Sequence, residues 1–429
     1  MNFQLLHPAD QLIMIMKRIY GYGMTTTSGG NLSILDENGD IWITPGGVDK
    51  GSLTRNDIIR VKPDGTVIGV HKPSSEFPFH KLVYESRPDI KAVLHAHPPA
   101  LVAFSIVRKL PGTRLIPSAE LVCGRVGMAK YGLPGSSELG EKIAVEFKKG
   151  CNSVILENHG IVVGAGNLFD AFKSFETLDF CARLEIHARS IGTPVLLTDA
   201  DMELSKNKRN ADLEEFTPAG YSSMEREARR VMCDLIHRAY DQKLFTSTEG
   251  TFSRRLEDGS FIITPYEKDR KYLEPEDIVR IENGQKEFGK IPSRSVMLHK
   301  QIYEKHPHIN SIIISQAPNI MAFAVTEEEF DSRTIPESYI LLRRIPKLPH
   351  GSVYMETEKV ANLFVPSTPI VIIKNDCIIV TGNDLINAFD RLEVAEYSAK
   401  AVISSKNLGD IVTIDDEKVA SLEKAFHLD

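Results

Sequence analysis

The stretch "VLHAHPPA", from Val93 to Ala100, sets two histidines one residue apart in an apolar run. Read as a strand, it projects His95 and His97 to one face, about 7 Å apart along the chain. Two neutral imidazoles so placed can share a metal ion; two solvated histidines at a strand end would look the same in sequence. Further chemistry-bearing residues stand elsewhere, Glu76 closing "KPSSE" and His159 lying in "ENHG". In "SGGN" (Ser28–Asn31) and "TPGG" (Thr44–Gly47) the glycines let a backbone approach an anion closely, or make plain tight turns. Ser74 and Ser75 stand where a helix is expected to begin, so their hydroxyls and the free backbone N–H groups face an anion together.

The chain carries its own control. "KPSSEFPFHKLVYESRPDI" from Lys72 recurs as "KIPSRSVMLHKQIYEKHPHI" from Lys290. Likewise "GDIWITPGG" from Gly39 is echoed by "GSFIITPYE" from Gly259, and "NSVILENHGIVVGAGN" by "TPIVIIKNDCIIVTGN". This is a tandem duplication of one fold. Opposite His95, His97 and His159 stand Ile314, Gln316 and Asp376; opposite Glu76, Asn31 and Gly46 stand Ser295, Thr251 and Tyr266. The losses fall on residues able to bind a metal or an anion, while the apolar pattern, the Thr-Pro dipeptide and the pair His80/His299 are kept. His80 therefore reads as a helix residue packed against the sheet. His95, His97 and His159 go as a set, and three imidazoles leaving one position open is the arrangement of a catalytic zinc. His71 and His187 lack such company and read as solvated.

The elements that must position these residues follow from pattern. An amphipathic opening helix uses Leu12, Met14, Ile15 and Tyr20, with Asp10 as its cap. Strands carry Asn31 to Leu35 and Ile41 to Thr44, a helix runs from about Glu76 to Glu85, and a strand ends in the HAH stretch. A loop with Pro117, a helix near Glu138 to Lys149, a strand pair around His159 and a long helix from Leu168 complete one copy. Without βαβ alternation, the fold class is α/β in three layers, a largely antiparallel central sheet covered by helices, present twice. Residues 1–205 and 223–429 are expected as the two domains, the second without metal ligands, joined by the polar stretch 206–222.

Bulk properties agree with a soluble protein of two domains: 429 residues, 42% hydrophobic and 25% charged. A net charge of -7 argues against a general nucleic-acid binder. No apolar run reaches membrane-span length, and the N-terminus lacks the basic start of a secretory signal. Five scattered cysteines point to reduced thiols and a cytoplasmic location.

"SGGN", "TPGG", "PSSE", "HAHP" and "ENHG", in that order, resemble the class II aldolase/adducin family, which includes fuculose-phosphate and rhamnulose-phosphate aldolases, ribulose-phosphate 4-epimerase, and related dehydratases and decarboxylases. The resemblance covers most of the first half with all its motifs and the second by fold pattern only. It implies that His95, His97 and His159 hold a divalent metal, zinc foremost. Glu76 becomes the carboxylate beside the metal, a resting ligand or the acid/base. Asn31, Thr44, Gly46, Ser74 and Ser75 line a phosphate pocket. The implied activity is cleavage of a phosphorylated ketose, such as fuculose 1-phosphate, into dihydroxyacetone phosphate and an aldehyde. The enediolate left by that cleavage can be held by a metal without a Schiff base. Dehydration, decarboxylation or epimerisation of a related sugar phosphate or sugar acid is the alternative; an adducin-like scaffold or a sugar-phosphate sensor is the non-enzyme one. Related enzymes form rings, so a homo-oligomer is implied, with the second domain completing the site. Tyr131 and Glu120 stand as candidates for a second acid/base.

Overall fold

A computed structural model of the chain describes residues 3–428. These divide into two compact units, residues 3–113 with 118–183, and residues 114–117 with 184–428.

The first unit opens with α1 (Pro8–Gly21), and its N-cap is His7, whose Nδ1 accepts from the Ala9 amide. Asp10, expected as the cap, instead sits in the first turn and pairs with Arg55. The buried face is Leu12, Ile15, Met16 and Ile19, a helical spacing that leaves Tyr20 exposed. There follow β1 (Asn31–Leu35), β2 (Ile41–Ile43), β3 (Ile59–Val61), β4 (Val67–Ile68), α2 (Phe77–Ser86), β5 (Ala92–Ala96) and α3 (Pro99–Ile106). The expected Pro117 loop is a helix, α4 (Pro117–Cys123), followed by an edge strand, β6 (Val126–Ala129). Then come α5 (Ser137–Lys148), β7 (Ser153–Leu156), β8 (Ile161–Ala165) and α6 (Leu168–Ile191).

The eight strands run in the order β4-β3-β2-β1-β5-β8-β7-β6. Every pairing is antiparallel except β6 with β7. Strand alternation sends Leu32, Leu94, Ile161 and Val163 into a core with α1, α3 and α6. Ile41, Val93, Val154 and Val162 enter a second core with α2 and α5. His95 follows Val93 by two residues and so lies on the α2 side of the sheet.

The second unit repeats the plan, with β9 (Glu215–Phe216), β10 (Thr251–Arg255), β11 (Phe261–Ile263), β12 (Val279–Glu282), β13 (Gln285–Glu287), β14 (Ser311–Ser315), β15 (Lys347–Leu348), β16 (Ile370–Ile373) and β17 (Cys377–Gly382). Their order is β15-β16-β17-β14-β10-β11-β12-β13-β9, antiparallel but for the two edge pairings. The fold is thus α/β with a largely antiparallel sheet, present twice. Among the described residues no helix is long and apolar enough to cross a membrane.

Candidate metal and catalytic site

Four elements, β1, β5, α2 and the β7–β8 turn, bring the sequence-predicted residues together in the first unit. β1 pairs with β5 so that Asn31 lies opposite His95. α2 begins beside them, with Glu76 at its N-cap position. The carboxylate makes no cap bond and is left for other work. The β7–β8 turn supplies His159; its sharpness is set by Asn158 at φ +55°, a conformation asparagine tolerates better than most residues. Gly160 in that turn lies so close to β5 that a Cβ would sit 2.5 Å from Ala96 O and 2.6 Å from His97 Cδ2.

His95 is fully buried, and its Nδ1 donates to the Ile161 carbonyl at 2.9 Å, which leaves Nε2 as the bare nitrogen. Donor nitrogens of His95, His97 and His159 lie within 4.8 Å of one another. His95 Nε2 and His97 Nε2 are buried and have no hydrogen-bond partner, and the same holds for Glu76 Oε1. Glu76 Oε2 stands 3.2 Å from His95 Nε2, and Oε1 stands 3.7 Å from His159 Nε2. Burial, reinforced by the charge of His159, pushes His95 down to about 3. Burial, with His95 and His159 adding to it, does the same to His97. Burial also lowers His159, with the Glu76 carboxylate opposing. All three imidazoles are therefore neutral at pH 7, the form that binds a metal. Orphaned buried nitrogens converging beside a carboxylate fit a divalent cation and have no evident use in a closed core.

Around this cluster, Asn31 Nδ2 donates to Glu76 Oε2 at 2.8 Å. Ser74 Oγ accepts from the Glu76 amide at 3.3 Å, and Ser75 is exposed at the mouth of α2. Gly46 lies against this segment, where a Cβ would be 3.3 Å from Pro73 O and 3.4 Å from Ser74 Cα. Thr44 stands behind. It is fully buried, its Oγ1 accepts from the Leu32 amide, and its counterpart Thr264 does the same for Phe252. The Thr44 hydroxyl thus already serves the sheet. Tyr131 is 54% exposed while its amide donates to Glu157. His71, expected in solvent, pairs with Asp57 at 2.8 Å, and His187 is half-buried.

Two contacts escaped the sequence reading. Arg108 Nη2 donates to Asn158 Oδ1 at 2.9 Å, holding the turn that carries His159. Its place in the second copy is taken by Glu327, so comparing the copies over α3 would have marked it. His80 is packed as expected, but its Nε2 meets Asn31 Oδ1 at 2.5 Å.

In the second unit the corresponding pocket is closed by charges of its own. Asp376, at the place of His159, pairs with Lys208 at 3.3 Å, and the Lys208 ammonium also lies 4.0 Å over the Tyr354 ring. Gln316, at the place of His97, donates to the Asp376 carbonyl. Arg294 replaces Ser75 and stacks 5.1 Å over Tyr266, which replaces Gly46.

The family described as "Class II Aldolase and Adducin N-terminal domain" matches residues 10–186 and again 230–403. The chain is 34% identical over 197 residues to a 5-deoxy-D-ribulose 1-phosphate aldolase of Bacillus thuringiensis, covering 45% of this chain and 91% of that relative. It is 35% identical over 175 residues to an L-fuculose phosphate aldolase of Methanococcus maripaludis, covering 41% and 93%. A 3-oxo-tetronate 4-phosphate decarboxylase of Haemophilus influenzae is 30% identical over 179 residues, covering 41% and 85%.

Proposed function

The chain belongs to the class II aldolase and adducin N-terminal domain family, and we propose that its first half is a metal-dependent lyase that cleaves a carbon–carbon bond in a phosphorylated ketose. Substrates of the fuculose 1-phosphate and 5-deoxyribulose 1-phosphate type are supported by the relatives. The observation that carries the reading is Glu76. One carboxylate oxygen is held by Asn31, and the other is buried and unpartnered beside three neutral imidazoles. That is the state of a base awaiting a proton.

His95, His97 and His159 would hold the ion. When bound it polarises the ketone oxygen and offsets the negative charge that grows there. In the synthetic direction Glu76 Oε1 takes the proton alpha to the carbonyl, and in cleavage it returns it. The α2 N-terminus, with Ser74 and Ser75, faces the phosphate, Gly46 and Asn31 line it, and Thr44 supports them from behind. Zinc suits the all-imidazole donor set, although such ligands accept other first-row ions. The proposed domains are residues 1–205 and 223–429, the latter degenerate. The working unit is a homo-oligomer in the cytoplasm.

Loading the full chain with zinc and following dihydroxyacetone phosphate release from fuculose 1-phosphate, ribulose 1-phosphate and rhamnulose 1-phosphate tests this reading. Turnover of one of them, lowered at least 100-fold by Glu76→Gln, is expected. Absence of turnover in the metal-loaded protein overturns the aldolase reading. The decarboxylase relative supports a second reading, because loss of CO2 from a 3-oxo acid leaves the same kind of enolate charge. CO2 release from 3-oxo-tetronate 4-phosphate, with no ketose cleaved, would select it.

A further inference from the structure

We propose that His80 is a positioning residue for Glu76. Its Nε2–H fixes the amide of Asn31, and Asn31 in turn aims the carboxylate. The proposal rests on Glu76 being the acid/base of the proposed reaction.

Hydrogen-bond chemistry gives the chain a single direction. Asn31 Nδ2 must be the group facing Glu76 Oε2 at 2.8 Å, since the amide oxygen there would set two acceptors against each other. Asn31 Oδ1 then points at His80 Nε2, 2.5 Å away, which has to carry the proton. His80 Nδ1 is consequently bare and accepts from Ser33 Oγ at 2.7 Å. Ser33 Oγ in turn accepts from Tyr84 OH at 2.6 Å. Every proton from Tyr84 to Glu76 has one donor and one acceptor, so neither the imidazole tautomer nor the amide orientation is free. The consequence for the site is that Oε2 is tied down and Oε1 is left as the reactive oxygen.

The second copy separates this role from packing. There Ser253 meets His299 Nδ1 and Tyr303 OH, each at 2.6 Å, reproducing the inner part of the network. Thr251 and Ser295 have replaced Asn31 and Glu76, and His299 Nε2 has no hydrogen-bond partner. The fold therefore needs the Nδ1 bond and tolerates an unused Nε2. Only the copy that keeps Glu76 employs both nitrogens.

Asparagine and glutamine divide the two functions of the imidazole. His80→Asn keeps an acceptor near Nδ1 and loses the outer donor, whereas His80→Gln reaches Asn31 with an N–H and loses the inner acceptor. In the zinc-loaded full chain, His80→Asn is expected to lower kcat 10- to 100-fold with KM and zinc affinity within about threefold of the parent. His80→Gln should stay within about threefold in kcat despite an equal loss of thermal stability. His299→Asn and His299→Gln should change stability alone. Crystals of the metal-free variants supply a readout independent of turnover, with Asn31 leaving Glu76 in His80→Asn and staying on it in His80→Gln. In an Asn31→Ala background, His80→Asn should add nothing to the loss of kcat. Equal kcat for His80→Asn and His80→Gln, an unmoved Asn31, or a full His80→Asn effect without Asn31 would each overturn the proposal. Full turnover in Glu76→Gln would instead overturn the reading of Glu76 itself, whatever His80 does.

Discussion

A proton has little purchase on His95 and His97. Burial holds His95 and His97 near 3, far below the 6.5 of a solvated imidazole, so both stay neutral as pH falls from 7 to 5. Proton competition at these two is then weak and His159 is lowered as well, so zinc affinity, read by competition with a chelator, should change by less than about thirtyfold over that range. Solvated ligands would lose roughly thirtyfold each. Gly160→Ala acts by contact instead, driving a methyl into Ala96 O and the His97 ring. It should weaken zinc binding by roughly 10- to 100-fold, the scale of misplaced ligand support. That His95, His97 and His159 come together was legible in sequence because the second copy lacks all three. The bare nitrogen of His95, the free oxygen of Glu76 and the prior commitment of the Thr44 hydroxyl were not. Each depends on which partner the fold brings within hydrogen-bond reach: the Ile161 carbonyl, the Asn31 side-chain amide and the Leu32 backbone amide.

Strand register and helix start do the positioning, and both are common to the two copies. Asn31 faces His95 across β1 and β5, as Thr251 faces Ile314 across β10 and β14. Glu76 and Ser295 have the same backbone angles, φ −92°, ψ 3° and φ −81°, ψ 4°. The conformation at Glu76 thus belongs to the fold and not to the chemistry. Ser253→Ala should show the core value of the shared network, since it leaves His299 and Tyr303 without their common partner. A loss of about 1–3 kcal/mol in denaturant unfolding is expected, with zinc affinity unchanged. Antiparallel strands and the long last helix were readable from alternation and length. The region from Pro117 was misread as a loop because α4 is only 7 residues long, and "VGMA" of β6 carries little strand propensity.

At the scale of the whole chain, duplication with loss predicts one metal per polypeptide. Elemental analysis of the purified protein should give about one tightly held ion, and His97→Ala should bring it to nearly none. Two tightly bound ions would contradict the second pocket described above. That pocket also makes a second metal site hard to install. Asp376→His by itself removes the partner of Lys208, stranding an ammonium that is 8% exposed against Tyr354. Ile314→His and Gln316→His alone leave Asp376, itself a possible ligand, paired with Lys208. A lysine far along the chain from these positions thus works as a lock: histidine at 376 is penalised while Lys208 stays, so installing it needs both residues replaced together.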